Sequence, residues 1–273
     1  MTSRLRALRV VHPFPSFLNT ALVLALAVVA GAPMVTAAVL AAAMLALQFC
    51  IGAFNDLCDE DLDRRTKPRK PIPAGLVSAR TTRGVAAVSG VTAIVLALTQ
   101  GPVVAVLAVM MLGAGLLYDY RLKPTAWAWA CFSVAFALLP VYAWYGATGQ
   151  LPPLAQFLLP LAALAGPALQ LSNGLVDLER DRAGGLATLA MRLGRGRTLA
   201  VIAALLVVIY GLAWLTLSLQ TGAVNPAVAL ATVIAVGGLA LQSRANVSAR
   251  EIGWTLQAGG IALLGLGWLS ALA

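Results

Sequence analysis

Five stretches of this chain carry no charged residue: Val10–Asn55, Gly84–Tyr118, Pro124–Val176, Thr198–Ser243 and Ile252–Ala273, of 46, 35, 53, 46 and 22 residues. A helix crossing the hydrocarbon of a bilayer needs about 20 apolar residues. The first four runs therefore hold two spans each and the last holds one, which gives nine. Turn signals fall near the middle of each long run, at Gly31-Ala32-Pro33, Gln100-Gly101-Pro102, Gly149 to Pro153, and Thr221-Gly222 with Asn225-Pro226. The second run is short for two spans, so its helices borrow residues from 78–83, with Arg80 and Arg83 snorkelling to the interface. Only 11% of the 273 residues are charged, far below the roughly 25% of a soluble domain. The expected fold is an all-α membrane protein of nine transmembrane helices in one polytopic domain, residues 1–273.

Every charged residue lies in one of five intervals: 1–9, 56–83, 119–123, 177–197 and 244–251. In a nine-span arrangement all five fall on one side, and with them all 19 Lys and Arg. The positive-inside rule then sets the N-terminus and the charged loops in the cytoplasm and the C-terminus outside, in the cell inner (plasma) membrane. The net charge of +9 follows from this topology and from anionic headgroups, so nucleic acid is not a partner. Arg4, Arg6 and Arg9 resemble the charged region of a signal peptide, but the apolar stretch after them is too long, which predicts a retained first helix. Cys50, Cys58 and Cys131 show neither pairing nor metal spacing, and their expected role is packing.

The two richest loops follow the second and sixth helices. Each opens on an acidic cluster at a helix end, four helices apart, which suggests a pseudo-repeat of helices 1–4 and 5–8 plus a ninth. The first cluster is Asn55-Asp56-x-x-Asp59-Glu60-Asp61-x-Asp63. If the second helix continues, Asp56, Asp59 or Glu60, and Asp63 share a face. The second is Asn173-Gly174-x-x-Asp177-x-Glu179-Arg180-Asp181, with Asp177 and Asp181 four apart. Like charges so placed repel unless a cation joins them. Carboxylate and carboxamide oxygens are hard ligands suited to Mg2+, which shares its remaining positions with phosphate oxygens. Two such clusters facing each other would hold two or three Mg2+ around a diphosphate. Zinc or nucleophile chemistry lacks its parts: the one histidine, His12, precedes the first helix at the interface, and no Ser/His/Asp arrangement exists.

These stretches resemble the UbiA-type intramembrane prenyltransferases. Asn55-Asp56-x-x-Asp59-x-x-x-Asp63, followed by Lys70-Pro71-Ile72-Pro73-Ala74-Gly75, is similar to that family's first aspartate motif and its downstream Arg-Pro-Leu-Pro-x-Gly. Asn173, Asp177, Asp181, Gly184, Thr188-Leu189-Ala190 and Arg192-Leu193-Gly194 resemble the second, most of all in dihydroxynaphthoate prenyltransferases. Tyr118 with Lys123 resembles the family's Tyr…Lys pair. The resemblance implies a bundle with a central cavity, capped by cytoplasmic motif loops after helices 2 and 6. It implies Mg2+-dependent ionisation of an isoprenyl diphosphate and prenyl transfer to a lipophilic acceptor, aromatic or a quinone precursor. The implied metal-binding set is Asn55, Asp56, Asp59, Asp63, Asp177 and Asp181. Lys123, Tyr118, Asp59 and Asp181 would act in catalysis, and Arg69 or Lys70, Asn55, Asn173, Tyr120 and Arg192 would bind substrate. Lys70 stands where the family usually has Arg, with Arg69 beside it, and Tyr120 rather than Tyr118 can take the tyrosine role. Aromatic faces between Trp127 and Tyr145 (Trp127, Trp129, Phe132, Phe136, Tyr142, Trp144 and Tyr145) either stabilise an allylic cation or form belts and packing. A UbiA-like terpene cyclase, a phosphoribosyl transferase acting on a polyprenyl phosphate, and a cation-coupled transporter are the alternatives. Transport predicts charge at membrane mid-depth, and the sequence has none there.

Overall fold

In a computed structural model of the protein, which describes residues 6–152 and 154–272, each mid-run turn signal separates two helices. Arg4, Pro153 and Ala273 lie outside the described residues. After a 3-10 turn at Leu8–Val11 come α1 (Pro13–Val29), α2 (Met34–Cys58), the short α3 (Glu60–Thr66), α4 (Ala79–Thr99) and α5 (Pro102–Leu117). A π turn at Tyr118–Leu122 leads to α6 (Ala128–Thr148) and α7 (Ala155–Val176). The short α8 (Leu178–Ala183), α9 (Leu189–Thr221), α10 (Pro226–Gln242) and α11 (Val247–Leu272) complete the chain. No strand occurs among the described residues.

Local chemistry sets the boundaries. Proline opens α1, α5 and α10, where its fixed φ suits the first turn and its missing N–H costs nothing. The Asn225 side chain caps α10 by accepting from the amides of Ala227 and Val228. Ser78 caps α4 through the Thr81 amide, so that helix does borrow residues before Gly84, and Arg80 and Arg83 are exposed as expected. Within α9, Gly194 takes φ 73° and ψ 165°, which breaks the ladder and kinks the helix.

Seven helices are long and apolar enough to cross a membrane: α2, α4, α5 with its π turn, α6, α7, α9 and α11. This is a multi-pass membrane protein. The two other apolar helices, α1 and α10, have 17 residues each and stand where the first and eighth spans are expected. At 1.5 Å per residue they rise about 25 Å, less than the ~30 Å hydrocarbon thickness.

The chain forms two compact units. One comprises Met1–Arg121 with Val141–Gln150, the other Leu122–Pro140 with Leu151–Ala273. In the first, α2 is the hub, packed on α1, α4 and α5. In the second, α7 packs on α9 and α11, and α10 pairs closely with α11. Gly238 and Gly260 sit at close helix contacts, whereas Gly237 and Gly259 face open space. A Cβ on Gly238 would meet the Gly253 carbonyl oxygen at 2.8 Å, so the two backbones touch there.

Candidate active site

The first acidic motif sits where α2 ends. The helix stops at Cys58 and α3 restarts at Glu60, with Asp59 between them at φ −88° and ψ −1°. The sequence allowed one continuous helix; the break follows from four acidic residues in five positions, which favour a fresh N-terminus with its positive dipole end. The hydrogen bonding nevertheless runs through the break. The Asp59 amide donates to the Asn55 carbonyl (3.0 Å) and the Asp63 amide to the Asp59 carbonyl (2.8 Å), so the helical register is kept. Asp56, Asp59 and Asp63 are all buried, while Glu60 turns outward to Arg64. This settles the choice between Asp59 and Glu60.

Lys70 returns to these carboxylates. The loop after α3 winds on itself through Lys70 N–H to Lys67 carbonyl, Ala74 N–H to Lys70 carbonyl and Leu76 N–H to Pro71 carbonyl contacts, with Gly75 at φ +67°. That positive φ is the conformation glycine adopts without steric cost. The winding brings Lys70 Nζ to 2.8 Å from Asp56 Oδ1, 2.7 Å from Asp63 Oδ2 and 4.0 Å from Asp59 Oδ2. Burial pulls the ammonium pKa down, and the Asp56 and Asp63 carboxylates outweigh it, so the net shift is upward. Arg69 is exposed. Asp63 Oδ1 is buried with no hydrogen-bond partner among the described residues.

Two residues of this site lay outside the expected set. His12 Nε2 stands 2.9 Å from Asp56 Oδ1, and the Asn55 amide donates to Asp119 Oδ1 at 2.5 Å. Gly52, one turn before Asp56, makes the first contact possible. A Cβ there would meet the Val11 carbonyl carbon at 2.9 Å, so only glycine lets the segment bearing His12 cross α2 this closely. Both partners are far away in sequence, and nothing in the local pattern announces either contact.

The second motif repeats the first. α7 stops at Val176, and Asp177 precedes the short α8. The Asp177 amide donates to the Asn173 carbonyl (3.2 Å) and the Asp181 amide to the Asp177 carbonyl (2.8 Å). Asn173, Asp177 and Asp181 thus stand as Asn55, Asp59 and Asp63 do. The counterpart of Asp56 is Gly174, where a Cβ would lie 2.9 Å from that of Ala190 in α9. That packing leaves no room for an acidic side chain at this position. Here Arg180 plays the part of Lys70, with Nη2 3.0 Å from Asp177 Oδ2 and 3.2 Å from Asp181 Oδ1. Asp181 is buried, and burial raises its carboxyl pKa against the lowering influence of Arg180 and, more weakly, of Lys123. The Ala187 amide bonds the Pro124 carbonyl at 3.1 Å, which tethers the Lys123 segment to this loop.

Glu179, in the same short helix, turns away to Arg250. Its Oε2 accepts from Arg250 Nη2 at 2.6 Å, and that bond holds its carboxyl below the usual range. Arg250 is wholly buried, while the Glu179 side chain is 59% exposed. Removing the exposed partner strands a buried charge; removing the buried one strands nothing. Glu179→Ala should therefore cost about 1–3 kcal/mol, discounted because Glu179 itself is largely solvated, and Arg250→Met less. Thermal unfolding in detergent measures this, and equal losses would show that the pair is not an isolated buried charge with a single partner.

Asn173, Tyr118 and Lys123 are half-buried, and Tyr120 and Arg192 are exposed. The Tyr120 ring lies under the Arg121 guanidinium, and Arg192 Nε donates to the Ala187 carbonyl. Of the aromatics on and before α6, Tyr142 is buried and donates to the Leu40 carbonyl at 3.1 Å, and Trp144 is buried, so these two are packing residues. Phe132 and Phe136 stack at 6.4 Å, and Trp127 and Trp129 lie 6.1 Å apart. Among the described residues no three His, Cys, Asp or Glu side chains stand close enough to hold a metal as they are. Lys70 and Arg180 each pair with two of these carboxylates.

The sequence profile of the UbiA prenyltransferase family matches residues 16–271. The chain belongs to the UbiA prenyltransferase family. This UbiA chain is 32% identical, over 77% of its length and 81% of the relative's, to a digeranylgeranylglyceryl phosphate synthase of Methanopyrus kandleri. It is 30% identical to a 4-hydroxybenzoate octaprenyltransferase of Vibrio atlanticus, over 62% of this chain and 60% of that protein. In fold it is similar to a UbiA homolog from Archaeoglobus fulgidus, at TM-score 0.74 and 18% identity over 98% of this chain and 100% of that one. That homolog bound to DMAPP and Mg2+ is similar at TM-score 0.69 and 17% identity, over 95% and 99%.

Proposed function

We propose that the chain transfers a prenyl group from an isoprenyl diphosphate to a lipophilic acceptor within the membrane, with Mg2+ as cofactor. The observation that carries this reading is the buried first motif, where three carboxylates gather round one cationic group at the end of an apolar helix. The donor set fits Mg2+. Asp56 and Asp63 offer oxygens that already approach one point, and Asp63 Oδ1 has no other partner. Asn55, Asp56, Asp59 and Asp63 would bind metal in one motif, Asp177 and Asp181 in the other, with two or three ions in all. When bound, the metal offsets the charge that builds on the diphosphate as the allylic C–O bond breaks.

The protein's own groups do the remainder. Lys123, beside the second motif, neutralises the departing diphosphate. Arg69 or Lys70, Asn55, Asn173, Arg192, and Tyr118 or Tyr120 orient it, and the apolar helices keep water from the allylic cation. The acceptor's nucleophilic carbon or oxygen captures that cation, and a base or the released diphosphate takes the proton. A single nine-span domain with a central cavity and an internal pseudo-repeat suits this chemistry. The likeness in local hydrogen bonding between the two motifs supports the pseudo-repeat. The charge-free runs support an inner-membrane location with a cytoplasmic N-terminus and an external C-terminus.

The names of the relatives suggest two kinds of acceptor, a glyceryl phosphate lipid and 4-hydroxybenzoate. An aromatic or quinone-precursor acceptor is the expected one. Incubating membranes that contain the protein with a prenyl diphosphate, Mg2+ and each acceptor, then analysing extracts by mass spectrometry, tests this. A prenylated acceptor is expected. A cyclised hydrocarbon without adduct would make the chain a terpene cyclase, and a phosphoribosylated polyprenyl phosphate, formed when a phosphoribosyl diphosphate and a polyprenyl phosphate are supplied instead, would make it a phosphoribosyl transferase.

A further inference from the structure

The Lys70 ammonium occupies the carboxylates proposed above to hold metal, in contact with Asp56 and Asp63 and 4.0 Å from Asp59. We propose that Lys70 is an exchangeable internal counter-ion: it holds the first-motif carboxylates until a divalent cation takes them, and its released ammonium then moves to the diphosphate. This inference rests on the metal-dependent reading above.

Three features carry it. Lys70 Nζ lies 2.8 Å from Asp56 Oδ1 and 2.7 Å from Asp63 Oδ2, so a cation that binds those two oxygens together must displace it. The charges are unequal, since three carboxylates face one ammonium, so a divalent ion is the better match. The side chain is also built to leave. Lysine carries a point charge on a flexible four-carbon stem, without the fixed fork that ties arginine to a carboxylate. Once a divalent ion sits among the carboxylates it repels the ammonium, and a diphosphate offers the nearest chemistry able to receive it. Lys70 is then a positioning residue that couples metal entry to substrate capture, and occupancy by one cation excludes the other.

The test measures metal binding without turnover. Mn2+ is titrated into the full chain in nanodiscs, free of prenyl diphosphate, and unbound Mn2+ is followed by electron paramagnetic resonance. Lys70→Met is expected to bind Mn2+ about tenfold more tightly than the native chain or better, and Lys70→Arg more weakly than the native chain. Asp56→Asn should abolish this binding in both backgrounds. A second readout uses the native chain, so that it does not depend on a variant folding: acylation of Lys70, followed by mass spectrometry, should run several-fold faster with Mg2+ than with chelator. Equal Mn2+ affinity in Lys70→Met and the native chain, or equal acylation with and without Mg2+, overturns the exchange while leaving the metal site intact. Absence of any Mn2+ binding sensitive to Asp56→Asn overturns both the exchange and the metal-dependent reading.

Discussion

On the proposed metal-dependent reaction, Asp56→Asn and Asp181→Asn should each lower prenyl turnover by about a thousandfold or more, because each would remove a charge that holds metal against the departing diphosphate. The asparagine keeps the shape of the side chain. Folding should survive for a reason visible in each motif. Without Asp56 the Lys70 ammonium still has Asp63 at 2.7 Å, and without Asp181 the Arg180 guanidinium still has Asp177 at 3.0 Å. Turnover at saturating Mg2+ and thermal unfolding in detergent, measured together, separate the two effects. Near-native activity in either variant would remove that motif from the catalytic chemistry. Loss of folding would mean that its carboxylate is a structural partner first.

Lys123→Met is expected to cost about a hundred- to a thousandfold in catalytic rate, the usual loss when one donor to a developing oxyanion is removed. Methionine retains most of the volume and none of the charge. The effect should fall on kcat more than on KM, since metals and the remaining basic groups still hold the ground state. Lys123 comes from the segment tied to the second motif by the Ala187–Pro124 hydrogen bond, and its charge is felt at Asp181. A variant with native kcat and raised KM would restrict Lys123 to binding, and a variant with neither change would leave Arg69 or Lys70 as the phosphate partner.

What could be read from the chain alone divides along physical lines. The long helices were legible because a bilayer leaves only one cheap way to satisfy backbone groups, so charge-free runs and turn residues mark their ends. Even the start of α4 before Gly84 followed from length. The acidic motifs were legible because their spacing is local, and a helical register carries Asn55 to Asp63 and Asn173 to Asp181 with little help from elsewhere. The contacts that complete the sites were not. His12 to Asp56, Asn55 to Asp119 and Glu179 to Arg250 span 44, 64 and 71 residues, and each depends on which helix faces meet. A glycine such as Gly52 signals a close crossing but not its partner. Tyr142 shows the same gap. Its place near a helix end suggested an interfacial belt or packing alike, and only the Leu40 carbonyl decides for packing.

Each acidic motif brings its own cation, Lys70 in one and Arg180 in the other. This bears on how such a chain is made. Buried carboxylates at helix ends would repel one another while the helices assemble, and a nascent chain that needed metal at that moment would depend on the supply at the site of insertion. With the counter-charge encoded a few residues away, insertion and folding run to completion first. On the metal-dependent reading proposed above, metal loading would then be a later, reversible event, and the metal-free protein would persist intact through periods of scarcity.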